Sequence, residues 1–90
     1  MIVIRRDGMY ACPLVLCDAC GRWITGKGNV YWIEPKGVGD IAKVWFVHKP
    51  GCTGLDRVIE QHTGEHVHDE DLDTWLDHLR RNTALKDTHD

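Results

Sequence analysis

The sequence has no long apolar run, and none approaches the roughly 20 residues that a helix needs to cross a bilayer. No Lys/Arg run exceeds two residues, which removes the polybasic tracts typical of nucleic-acid or membrane-surface binders. Prolines number only three, and neither a repeat nor a low-complexity segment marks a linker. The chain of 90 residues therefore reads as one domain with a modest core. The opening MIVIRR is wrongly ordered for a secretory leader, because its basic pair follows the apolar residues. We read the chain as cytoplasmic and without membrane contact. In that compartment cysteines stay reduced, so paired cysteines point to metal or redox chemistry before disulfides.

Catalytic signatures are scarce too. There is no nucleophile–base pair, no Gly-rich phosphate loop between a strand and a helix, and no carboxylate pair clearly placed in a cleft. The chain does have four tryptophans, Trp23, Trp32, Trp45 and Trp75. Each can bury a large area, so at least three of the four are expected in the core. Charge is uneven. Residues 1–54 carry seven Lys/Arg and four Asp/Glu, whereas residues 55–90 carry four and ten. The acidic second part would repel phosphate.

Local patterns predict strands first. IVIRR (2–6) and MYACPLVL (9–16) flank Asp7-Gly8, a short hairpin signal. Pro13 has no N–H to donate, so its strand is an edge or bulges there. NVYWIE (29–34) and IAKVWFVH (41–48) flank the Gly-rich PKGVGD and predict a second hairpin. The period then changes to about 3.6. Leu55, Val58, Ile59 and His62 form one helical stripe, with Thr53 as N-cap and Gly64 as terminator. Leu72, Trp75, Leu76 and Leu79 form another, with an acidic start and Arg80-Arg81 near its end, which suits the helix dipole. The fold class is α+β, two β-hairpins followed by two C-terminal helices. One domain is expected over 1–84, with a C-terminal helix at about 69–82 and a frayed tail at 85–90.

Cys17 and Cys20 have the C-x2-C spacing that turns two sulfurs toward one point about 2.3 Å from a zinc ion. Gly21 follows, where such a turn commonly needs φ > 0. A closed site needs two more ligands, and His48 and Cys52 supply them as H-x3-C after the predicted hairpin. The expected cofactor is one structural Zn2+ per chain. A redox pair is the alternative reading of Cys17 and Cys20, and unligated buried cysteines are another. CDACGRWI followed by VWFVHKPGC resembles the treble-clef zinc fingers, and most closely a single LIM-type finger with ligand order Cys, Cys, His, Cys. The resemblance covers 15–62, with a longer loop between ligand pairs than in LIM fingers. It implies a zinc-organised, treble-clef-like fold and a binding role.

Cys12 is expected to be a small buried hydrophobe, with a ligand role only if His48 has none. His66 and His68 would share one face of a strand and form a weak second metal site. They fall instead in what reads as an acidic, solvated interhelix loop. Three functions compete. The first is an adaptor that recognises a protein partner. The second is a nucleic-acid-binding finger of a phage or bacterial accessory protein, with Arg5, Arg6, Arg22, Lys27, Lys43 and Lys49 on one face. The third is an HNH-like nuclease, since the treble clef resembles that core. The expectation is no enzyme, because His48 is committed to the metal and no further catalytic ligand follows. An exposed Trp or a sheet edge near Pro13 would serve a homo-oligomer.

Overall fold

The computed structural model describes residues 1–83, so the predicted tail at 85–90 lies outside the described residues. Seven elements follow one another: β1 (Ile2–Asp7), β2 (Tyr10–Val15), β3 (Gly28–Ile33), β4 (Val44–His48), α1 (Leu55–Thr63), β5 (Val67–Asp71) and α2 (Leu72–Asn82). They form two sheets. One is the antiparallel hairpin β1–β2, and the other is three-stranded with order β4-β3-β5.

The predicted α+β class holds, but the two helices are not both C-terminal, because β5 stands between them. Residues 67–71, expected as a loop and as the first turn of a helix starting near 69, pair antiparallel with β3 from Ile33↔Val67 to Asn29↔Asp71. The sequence VHDED alternates weakly because it is an edge strand, and the edge tolerates charge. Pairing with β3, a tertiary contact, overrides the local preference.

The first hairpin turns one residue later than predicted. Asp7 pairs with Tyr10, so the loop is Gly8-Met9. Only Gly8 has positive φ, at 64°, which matches a type II′ turn. Little of this hairpin is covered. Leu14 is its only buried strand residue, and Val3 and Val15 are half-buried.

The core sits on the three-stranded sheet. Val30, Tyr31, Phe46, Val47, Val67, Ile59 and Leu72 are buried together with Cys17 and Ile24. β3 reads GNVYWI and is buried along its first four residues, as a central strand covered on both faces should be. The tryptophan expectation holds only in part. Trp32, Trp45 and Trp75 are only partly buried and pack against the core from its margin, while Trp23 is 47% exposed. Three valines, Tyr31 and Phe46 on the sheet, with Ile24, Ile59 and Leu72, fill the centre instead. Trp75 meets Phe46 edge-on, with ring centroids 5.3 Å apart, and so fastens α2 to β4.

Gly28 opens β3 where three elements converge. A Cβ there would lie 2.9 Å from the Val47 carbonyl oxygen and 3.1 Å from side-chain atoms of Ile24 and Leu72. Only glycine permits that approach. α1 ends as predicted at Gly64, which takes φ 71° and donates to Glu60 O. Its N-cap is Gly54, not Thr53, and it makes no side-chain cap bond. The Thr53 carbonyl instead accepts the Tyr31 hydroxyl at 2.8 Å, tying the start of α1 to β3. No helix among the described residues is long and apolar enough to cross a membrane.

Candidate metal centre

The cluster is built by three local structures that meet. Cys17-Asp18-Ala19-Cys20 forms a tight turn after β2, closed by Gly21 N–H donating to Cys17 O at 2.8 Å. Gly21 has φ 78°, the left-handed conformation that its position required. The chain then runs back beside β2, with Leu16 bridging Trp23 and Ile24 N–H donating to Val15 O at 2.9 Å. His48 is the last residue of β4, and Cys52 lies in the turn before α1.

These elements bring Cys17, Cys20, His48 and Cys52 together, with all four donor atoms within 4.8 Å of one another. The four residues are positioned to bind one metal ion. The His48 Nδ1 lies 3.4 Å from Cys20 Sγ and 3.8 Å from Cys52 Sγ. Its other nitrogen, Nε2, lies 3.0 Å from the Trp23 carbonyl oxygen. A carbonyl only accepts, so Nε2 carries the hydrogen and donates. In the neutral ring the lone pair is then on Nδ1, facing the sulfurs. An outer carbonyl that fixes the tautomer in this way is the usual support of a ligating histidine.

The electrostatics of the four groups are divided. Burial pushes the Cys17 thiol up. The backbone N–H groups of Cys20, His48 and Ala19, together with the Cys20 side chain, outweigh burial and bring Cys17 down to about 6. The Cys52 thiol goes the other way, to about 11, first through desolvation and then through the neighbouring Cys17 and Cys20 sulfurs. The Trp23 carbonyl and then the Cys17 sulfur hold the His48 imidazole above its ordinary value. Three sulfurs this close resist ionising together, and a bound cation removes that resistance.

Asp18, between the two knuckle cysteines, is a residue that sequence reasoning missed. Its backbone N–H donates to Phe46 O at 2.6 Å, and its Oδ2 accepts the Phe46 N–H at 2.8 Å. It thereby occupies the outer edge of β4 as a partner strand would, two residues before His48. The same oxygen accepts the Met1 amine at 2.9 Å. Nothing in CDAC distinguished this aspartate from a solvated one. The only available hint was that β4, if an edge strand, would need a cover.

The remaining candidates lie elsewhere. Cys12 is exposed on β2 and is not a member of the cluster, which corrects its reading as a buried hydrophobe. His66 does lie in an exposed connection between α1 and β5, as expected, but His68 is in β5 and not in a loop. Their rings are 5.0 Å apart, and His68 stacks on Trp32. His66 faces Glu60 at 3.5 Å and His68 faces Glu34 at 3.8 Å. Among the described residues, only the four-residue set forms a group of three or more metal-binding side chains.

Of the six cations expected on one face, Arg22, Lys27 and Lys49 line an open groove of about 560 Å3 beside Cys20, His48 and Cys52. Lys49 is also paired with Asp71 at 2.7 Å. Arg5 lies over the Trp23 ring and Lys43 over the Trp45 ring. Compared with family models, curated proteins and solved structures, the chain shows no significant match.

Proposed function

We propose that this chain is a small zinc-stabilised adaptor of treble-clef type, closest in ligand order to a LIM-type finger. Its metal is structural and its surface recognises a protein partner. The four-donor cluster carries the reading. Bond lengths of about 2.3 Å to sulfur and 2.0–2.1 Å to nitrogen imply tetrahedral edges near 3.8 Å for S···S and 3.5 Å for N···S. The observed N···S separations of 3.4 and 3.8 Å fit those edges. Three thiolates and one imidazole are a donor set of structural zinc sites. The order of knuckle, hairpin, then ligands at a strand end and before a helix is the treble-clef arrangement.

Four protein ligands leave no open coordination position, so the metal activates no water and the protein is not an enzyme. The chemistry that zinc supplies is cohesion: it draws the knuckle, the end of β4 and the start of α1 to one point. The reading is tested with natively purified protein, by its zinc content and by its amide spectrum before and after chelation. A protein partner should then be retained by the zinc-loaded chain and lost by the chelated chain. Equal retention would contradict the proposal.

The basic groove favours a second reading, nucleic-acid binding. Arg22, Lys27 and Lys49 would contact phosphates there. A loaded Cys3His centre carries a net charge of about −1, which offsets part of that positive field. With three phosphate contacts, log K should fall with log salt at a slope of about −2.7 on duplex DNA. A low-salt mobility shift with no retarded band at micromolar protein would end this reading.

A further inference from the structure

Among the described residues the two sheets have four outer strand edges, and three of them are partly occupied by other segments of the chain. The β4 edge is bonded to Asp18 in both directions at Phe46. In β5, Val67 turns its N–H away from β3 and donates to Glu60 Oε2 at 3.1 Å. By alternation Asp69 and Asp71 also turn outward, and Asp71 is already the N-cap of α2. In β2, the outward carbonyl of Val15 accepts from Ile24, and Leu16 bridges Trp23. Pro13, further along that edge, has no N–H to offer.

The fourth edge has no partner among the described residues. Met1 and Leu16 exchange both backbone bonds, at 2.8 and 2.7 Å. The register runs without a bulge from Ile2↔Val15 to Asp7↔Tyr10. Alternation therefore makes Val3, Arg5 and Asp7 the residues bonded to β2. Ile2, Ile4 and Arg6 point their N–H and C=O groups away from it. Their side chains share one face, where Ile2 is 51% and Ile4 68% exposed. Proteins ordinarily blunt such an edge, and a hairpin with neither a third strand nor a helix over it is marginal in water.

We propose that the outer edge of β1 receives an extended acidic strand from a partner protein by strand addition, forming a three-stranded sheet. The proposal rests on the adaptor reading and names its binding surface. Main-chain bonds from Ile2, Ile4 and Arg6 supply the register, and the incoming strand's apolar residues cover Ile2 and Ile4. The charge selects the partner. Arg5 and Arg6 flank this edge, and neither makes an ion pair among the described residues. A second copy of the chain fits less well. Its own β1 carries two arginines and one aspartate and so offers no net negative charge to this edge, and its one acidic strand, β5, has the outward N–H of Val67 taken by Glu60 and its end taken by the start of α2.

The test uses isotope-labelled, zinc-loaded full chain, so that loss of the fold is seen separately from loss of binding. It is titrated with a short capped peptide alternating valine and glutamate, and with its valine–lysine counterpart. With the glutamate peptide, the amides of Ile2, Ile4 and Arg6 should shift and gain exchange protection, with smaller changes at Val3 and Arg5. The lysine peptide should bind about three- to tenfold more weakly, the effect of one or two exposed charge pairs. Ile4→Pro removes one outward N–H without removing a bond to β2, and should abolish the response while zinc content is unchanged. Should that variant disturb the hairpin, Arg6→Glu supplies the second arm, because it should shift preference toward the lysine peptide. Equal affinity for the two peptides, responses centred on β2 or on the basic groove, or self-association of the peptide-free chain through β1 would overturn the proposal.

Discussion

The two sheets of this small protein differ in what holds them. The sheet β4-β3-β5 buries its central strand, and both of its edges are occupied by other parts of the chain. The hairpin β1–β2 buries one strand residue, and among the described residues nothing pairs with the outer edge of β1. The metal cluster lies on the boundary between them. The first cysteine pair follows β2 directly, and the second ligand pair belongs to the end of β4 and the turn after it. The difference teaches what a metal held there would do beyond stabilising a turn. It would join a sheet that has a core to a hairpin that has almost none.

Predictions that separate the two regions can be ranked by size. Cys17→Ser should have the largest effect, because it removes the most buried ligand, only 2% exposed. Structural zinc in small fingers is worth on the order of 10 kcal/mol, comparable to the net stability of a whole domain. The expected outcome is loss of a cooperative thermal transition, followed by circular dichroism. A melt like that of the unsubstituted protein would separate the core from the metal altogether.

Gly28→Ala attacks the core sheet without touching a ligand. Its Cβ would overlap the Val47 carbonyl, so the strand must shift, at a cost of about 1–3 kcal/mol in denaturant unfolding. An unchanged midpoint would mean that β3 and its neighbours are less tightly fitted than described.

Asp18→Ala tests the link between the regions. It leaves the Phe46 N–H without its partner, a loss of about 1–3 kcal/mol for a group away from water. It should also weaken zinc binding by about 10–100-fold, read by competition with a chromophoric chelator, since it releases the knuckle from β4. Unchanged zinc affinity would reduce Asp18 to an edge cover alone.

Ile4→Thr should have the smallest effect. Ile4 is 68% exposed, and Thr keeps a β-branched strand residue, so stability should stay within about 0.5 kcal/mol and zinc affinity should not change. A large loss would show that the hairpin face is covered in the isolated protein.

The same contrast explains what was legible in the sequence. C-x2-C with Gly21, H-x3-C and the Gly64 terminator are local signals, because each rests on the conformation of a few consecutive residues. The strands with β-branched and aromatic residues were readable for the same reason. β5 was not, because VHDED becomes a strand only by pairing with β3, and three of its five residues are charged at a sheet margin. The tryptophans misled in the opposite direction. Their size promised burial, yet the small sheet closes its centre with Val30, Tyr31, Phe46 and Val47 and leaves the indole rings at the rim. Asp18 and the Trp23 carbonyl, which orient the cluster, act through backbone geometry that no spacing rule encodes.

The central claim is that one zinc ion is held by three sulfurs and one nitrogen at positions 17, 20, 48 and 52. X-ray absorption at the zinc edge, on protein purified without added metal and quantified per chain, tests it most directly. The account predicts one zinc per chain with sulfur scatterers near 2.3 Å and a single nitrogen near 2.0 Å. Protein that is fully folded with no bound zinc, or with oxygen as its main ligand, would contradict it.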